Sequence, residues 1–183
     1  MLTIHVLEYF ERSLLRHSSK VLLDDSVQRL TFQEVYEVAS RLATALIRGR
    51  DVTNEPVAVY LPRSSEVAIA DLAALMSGNF YMNLDTTSPL ARTNSILRNV
   101  EPHIVITSRK SLGNPADLGL SPENVTYIED VFGTMAEEPD VGALKERRSA
   151  LIDTDPVCVI NTSGSTGVPK ATLITHHHLL KLN

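Results

Sequence analysis

Apolar residues along this chain alternate between short β-branched blocks and longer stretches of helical period. Val21-Leu-Leu-Asp24 and Leu30-Thr-Phe32 flank the polar segment Asp25-Ser-Val-Gln-Arg29, which predicts a hairpin. Thr31 and Glu34 then have capping-box spacing. Val35, Ala39, Leu42, Ala43 and Leu46 follow on one face of a helix that Gly49 ends. Pro56-Val-Ala-Val-Tyr-Leu61 is apolar throughout, as a strand covered on both faces must be. Ser64 or Ser65 caps the next helix, with Ala68, Leu72, Leu75 and Met76 as its apolar face and Gly78 as its stop.

The unit repeats. Residues 80–84 predict a strand, Ser88 a cap, Pro89 the first helical position, and residues 90–99 a helix that turns Ile96, Leu97 and Val100 inward. Residues 103–107 predict another strand. Residues 110–124 hold two prolines and two glycines without a clear period and read as a surface connection. A strand over 125–129, a short charged helix or loop over 141–151, and strands over 156–160 and 172–175 complete the pattern. Strands alternating with helices build an α/β sheet with parallel segments.

Between the last two strands lies Asn161-Thr-Ser-Gly-Ser-Thr-Gly-Val-Pro-Lys-Ala171, with two glycines, four hydroxyl side chains, one proline and one lysine. Such a composition suits a phosphate-gripping loop: glycine lets backbone approach, N–H groups and hydroxyls donate, and lysine supplies charge. It is not a Walker loop, because Pro169 stands where the second glycine would be and Ala171 where the metal-binding hydroxyl would be. A strand follows it instead of a helix. A plain hairpin loop can share the Gly/Ser/Thr content, but it has no need of Pro-Lys at its end.

The pattern T-S-G-S-T-G-x-P-K over residues 162–170, with His176 beyond it, resembles the phosphate loop of the adenylate-forming (AMP-binding) superfamily. That superfamily comprises adenylation domains of nonribosomal peptide synthetases, acyl- and aryl-CoA ligases and luciferase-like enzymes. Leu30-Thr-Phe-Gln-Glu-Val35 is similar to the family's L-T-Y-x-E-L. Leu75-Met-Ser-Gly-Asn-Phe-Tyr-Met-Asn-Leu-Asp85, with Pro89 and Arg92, is similar to L-K-A-G-x-x-Y-V-P-L-D…P…R, a form typical of amino-acid-activating members. Departures fall at Phe32, Val35, Met82, Asn83, Asn161 and Ala171.

The resemblance implies an α/β fold: the N-terminal subdomain of the adenylate-forming enzymes, with a mixed, largely parallel sheet flanked by helices. Family members carry adenine, ribose and acyl-substrate motifs and a mobile C-terminal domain after this loop. Residues 1–183 are therefore expected to be the N-terminal portion of an adenylation domain, truncated just after the loop. As an incomplete piece the chain is expected to be inactive alone and to self-associate through uncovered apolar surface and unpaired strand edges. The implied reaction of the parent is attack of a carboxylate, most simply an amino acid's, on the α-phosphate of ATP with Mg2+. Pyrophosphate leaves, and the acyl group of the acyl-AMP passes to the phosphopantetheine thiol of a carrier protein. By the same resemblance Thr162, Ser163, Ser165 and Thr166 donate hydroxyls, Gly164 and Gly167 give backbone access, and Lys170 supplies charge or anchors the loop. An acyl-CoA or aryl-CoA ligase, or a non-catalytic nucleotide-binding or interaction module, remain as alternatives.

Composition narrows the partners. The chain has 183 residues, 43% of them hydrophobic, enough for one ordinary core. Net charge is −5 with pI near 5.7, and no basic cluster exceeds Lys145-Glu-Arg-Arg148, so nucleic acid and anionic membrane are poor partners. The apolar stretch over 67–76 is interrupted by Asp71 and too short for a bilayer, and no basic, cleavable leader opens the chain. A cytoplasmic location is the expectation.

Cys158 is the one cysteine, which excludes an internal disulfide and a zinc ribbon. His176-His-His178 is not read as a metal site, because consecutive helical positions diverge by about 100°. His176 is expected to pack or hydrogen-bond near the loop, and His5, His17 and His103 are isolated. Asp24-Asp25 and Glu137-Glu138 read as solvated pairs. Asp85 is expected to hold the turn before Ser88-Pro89.

Overall fold

The computed structural model describes residues 5–132, 138–162 and 170–181. Its elements are α1 (Leu7–His17), β1 (Val21–Asp24), β2 (Arg29–Thr31), α2 (Phe32–Ile47), β3 (Pro56–Tyr60), α3 (Ser65–Met76), β4 (Phe80–Asn83), α4 (Leu90–Val100) and β5 (Ile104–Thr107). They continue with β6 (Val125–Tyr127), α5 (Ile128–Phe132), α6 (Val141–Ser149), β7 (Pro156–Thr162), β8 (Lys170–Thr175) and α7 (His176–Leu180). The β-branched blocks pair into a six-stranded sheet of order β6-β5-β3-β4-β7-β8. All neighbours are parallel except the β7–β8 hairpin, which is antiparallel. This is the mixed, mostly parallel α/β sheet expected, open rather than closed into a barrel, with β1 and β2 as a separate hairpin.

The period of two along each central strand divides the core between two faces. Val57 and Val59 of β3, with Ile104 and Ile106 of β5, enter the layer under α2 and α3. Ala58, Tyr60 and Val105 enter the layer under α4, with Ile96, Leu97, Leu112 and Leu118. Residues 110–124 are thus only partly a surface connection, since Leu112 and Leu118 are buried and two 3-10 turns, Pro115–Leu118 and Pro122–Asn124, shape the path. β6 stops at Tyr127, and residues 128 and 129 open α5.

The predicted capping box at α2 is formed, and Val35, Ala39, Leu42, Ala43 and Leu46 are all buried on its inner face. α3 differs from expectation in its rotation. Its buried face is Ile69, Ala70, Ala73, Ala74, Leu75 and Met76, while Ala68 is exposed and Leu72 half-buried. The helix is covered by the sheet on one side and α2 on another, so alanines that carry little hydropathy become core where two elements approach. Ser64 occupies the N-cap, yet its hydroxyl donates to the Pro62 carbonyl at 3.1 Å. The Ser65 N–H donates to Asp25 Oδ2 at 2.7 Å instead.

Asp25 therefore does more than sit in solvent. Its Oδ1 also accepts from the Val27 and Gln28 N–H groups, and these donors hold its carboxyl down at about 2. Asp24 pairs with Arg29 across the turn in solvent. Asp85 holds its turn as expected, accepting from Thr87 N–H at 2.8 Å, the Thr87 hydroxyl and the Ser88 hydroxyl. Ser88 is thereby engaged, so Pro89 takes the N-cap of α4 in its place. α1 was not anticipated: Leu7 is buried but Leu15 is 86% exposed, so its apolar stripe is thin. Among the described residues no helix is long and apolar enough to cross a membrane.

Arg147 on α6 ties the loop before β3 to the end of α3. One guanidinium nitrogen donates to Val52 O at 2.6 Å and Ser77 O at 3.4 Å, the other to Arg50 O at 2.6 Å. Its side chain is only 13% exposed, so removing it leaves those carbonyls poorly paired. Arg147→Ala is expected to lower unfolding free energy by about 3 kcal/mol, and Arg147→Lys to recover only part, as urea titration would show.

Candidate functional site

β7 leaves the sheet at its carboxyl end through Asn161 and Thr162 and returns as Lys170 and Ala171. Thr162 opposes Lys170 and Asn161 opposes Ala171 in the antiparallel register. The Thr162 hydroxyl donates to the Lys170 carbonyl at 3.4 Å, and both side chains are exposed. Thr162 and Lys170 are thus brought together as the pair that closes the hairpin. Ser163, Gly164, Ser165, Thr166 and Gly167, the other expected phosphate-contacting residues, lie outside the described residues.

Because β3, β4 and β7 run parallel, the loops after them gather at the same end of the sheet, where open α/β sheets bind ligands. A cleft of about 700 Å³ lies between the loop after β3 (Leu61, Pro62, Arg63) and the loop after β4 (Leu84, Asp85, Thr87). Beside it a smaller cavity of about 160 Å³ is lined by Asn83, Asp85, Arg92, Thr93 and Asn161. Both amide atoms of Asn161 are buried there with no hydrogen-bond partner among the described residues.

Asn83 also belongs to a second polar group. Asn83 donates from Nδ2 to Asp71 Oδ2 at 3.0 Å, while Asp71 Oδ1 is buried without a partner. Burial pushes the Asp71 carboxyl up to about 7, against the weaker opposing effect of the Asn83 amide. The Tyr81 phenol and the Cys158 thiol lie beside it, both pushed up chiefly by burial. In the sequence Asp71 showed only as a charge interrupting an apolar stretch; its contact with Asn83, twelve residues on, follows from strand β4 lying against α3.

The three histidines diverge as helical geometry requires. His176 is fully buried, and its Nδ1 accepts the Val6 N–H at 3.2 Å, so among the described residues it serves the N-terminal segment. His177 Nδ1 lies 3.2 Å from Asp153 Oδ2, and His178 Nδ1 accepts the Thr175 N–H in a capping box. Among the described residues no three metal-capable side chains converge.

The sequence model of a family described as "AMP-binding enzyme" matches residues 10–182. The chain belongs to the AMP-binding enzyme family. Tyrocidine synthase 1 of Brevibacillus parabrevis is 32% identical over 180 residues, covering 98% of this chain and 16% of its own length. The dimodular nonribosomal peptide synthase of Bacillus subtilis (strain 168) is 28% identical over 186 residues, covering 96% of this chain and 7% of its own. In fold, the AMP-binding chain matches the N-terminal subdomain of Klebsiella oxytoca NpsA in complex with 3-hydroxybenzoyl-AMSN. The TM-score is 0.71 at 23% identity, over 95% of this chain and 41% of that one. The nonribosomal peptide synthetase FmoA3, in an α-methyl-L-serine-AMP bound form, gives 0.78 at 23% identity over 98% and 19%. The AMP-binding chain thus spans less than half the length of each of these proteins.

Asp71 makes the stability of this AMP-binding chain depend on pH. Its folded carboxyl is raised from the ordinary 3.8 to about 7, so its full contribution is present below about 4 and is lost as pH rises through 7. Asp71→Asn is therefore expected to melt above wild type at pH 8, with the gap closing toward pH 4.5. Thermal melts across that range check it; a constant gap would contradict the burial assignment.

Proposed function

We propose that residues 1–183 are the N-terminal portion of an adenylation domain, and that the parent protein activates a carboxylate as acyl-AMP at the expense of ATP. The observation that carries this reading is the β7–β8 hairpin: a parallel strand delivers Thr162 and Lys170 as a closing pair at the ligand-binding end of the sheet. Between them the chain holds the Ser163-Gly-Ser-Thr-Gly167 motif of the family. Hydroxyls and the Lys170 ammonium set at a leaving pyrophosphate stabilise charge that grows in the transition state, which is most of what the protein must supply in such a transfer. Thr162, Ser163, Ser165 and Thr166 are assigned the hydroxyl contacts, Gly164 and Gly167 the close backbone approach. Mg2+ arrives with the triphosphate as its counter-ion, in keeping with that ion's habit of remaining on phosphate oxygens and water.

An amino acid is the favoured substrate, supported by the synthetase relatives and by the aminoacyl adenylate of FmoA3. A carrier-protein thiol as acceptor is supported by the solved adenylation-PCP fusion of NpsA with ThdA. An aryl acid is the second reading, favoured by the anthranilyl and hydroxybenzoyl analogues in the NpsA complexes. ATP–pyrophosphate exchange by the complete protein, with amino acids against benzoates, separates them.

In the complete enzyme Lys170→Ala and Thr166→Ala are each expected to lower that exchange by about 10- to 100-fold, with little change in melting temperature. Exchange at the wild-type rate in both variants would remove the hairpin from the phosphate site.

A further inference from the structure

The exit of the β7–β8 hairpin is stapled in place by backbone contacts. His176 N–H donates to Asp155 O at 3.0 Å and His177 N–H to Asp153 O at 2.6 Å, joining the start of α7 to the turn that leads into β7. The His176 side chain then reaches across to the far end of the chain. Val6, whose N–H it receives, is the N-cap of α1, and the rings of His5 and His176 meet edge-on with centroids 6.0 Å apart. Leu7 is the one fully buried side chain of α1 among the described residues, with Phe10 half-buried against Phe32 and a Glu11–Arg148 ion pair further along.

We propose that His176 is an acid-released latch: the neutral imidazole clasps the start of α1 to the hairpin exit, and the imidazolium lets it go. The atoms require this sign. Nδ1 accepts from Val6, so the ring hydrogen sits on Nε2, which is buried and has no partner among the described residues. Protonation puts a second hydrogen on Nδ1, facing the Val6 N–H, and places a charge where no water reaches.

The groups facing this pair are His5, Glu8 and Glu11 from α1 and its approach, Arg148 from α6, and Asp153 and Asp155 from the turn before β7. Asp155 and Asp153 favour the charged ring, but burial outweighs them and lowers His176 from 6.5 to about 4, with His5 adding in the same direction. A depressed histidine stabilises the docked helix fully above 6.5, and that stability drains away as pH falls toward 4.

Hydrogen-exchange mass spectrometry of the intact chain tests this, following protection of residues 5–17 at pH 7 and pH 5 after correction for intrinsic rates. In wild type that protection is expected to fall roughly twentyfold and to stay below that of α2, the mark of a local opening. His176→Asn places an amide oxygen where Nδ1 was and does not titrate, so its protection falls far less, the remainder coming from His5. His176→Phe fills the space without accepting, so α1 is poorly protected at both pH values. Unchanged protection in wild type, or an equal fall in His176→Asn, overturns the proposal. The wild-type pH series stands whether or not the phenylalanine variant folds.

Discussion

All five residues of β3 are buried, and a strand with no face left for water needs cover above and below. The rest of the fold answers that requirement. Val57 and Val59 call for α2 and α3 on one side, Ala58 and Tyr60 for α4 and the 112–118 segment on the other. The crossovers that supply those helices must return to start each new strand at the same end, which makes β3, β4, β5, β6 and β7 parallel. Parallel strands in turn collect their carboxyl-end loops into one rim. The position of the candidate site is a consequence of burying β3.

What could be read in the sequence was whatever is decided by neighbours in the chain. The Thr31–Glu34 box, the stripe from Val35 to Leu46, the positive-φ stops at Gly49 and Gly78, and the Asp85 turn each depend on residues within a few positions of one another. The two strands around the loop were legible for the same reason, though β7 runs on to Thr162 and β8 begins at Lys170, residues read as loop. Errors fall where a partner outside the local stretch of chain decides. Asp25 caps α3 in place of Ser64, α2 and the sheet together rotate the buried face of α3 onto alanines, and α1 is set by a histidine 170 positions along. No local period reports such contacts.

The rim of the sheet shows a different balance from its middle. Within β3 and β5 every side chain is apolar except Thr107, whose hydroxyl donates to the Tyr60 carbonyl at 2.8 Å. One step further toward the carboxyl ends of β4 and β7 stand Asp71, Asn83 and Asn161, with a buried oxygen on Asp71 and both amide atoms of Asn161 unpaired among the described residues. Unpaired buried polar atoms cost on the order of 1–3 kcal/mol each, so packing alone would not place three polar residues there. Two of them, Asn83 and Asn161, are positions at which this chain departs from the family pattern. They line one cavity next to the hairpin that bears Thr162 and Lys170, so these polar departures gather at the carboxyl-end rim of the sheet. The Asn161 amide, unpaired among the described residues, thus stands at this rim beside Asn83, whose own amide donates to Asp71.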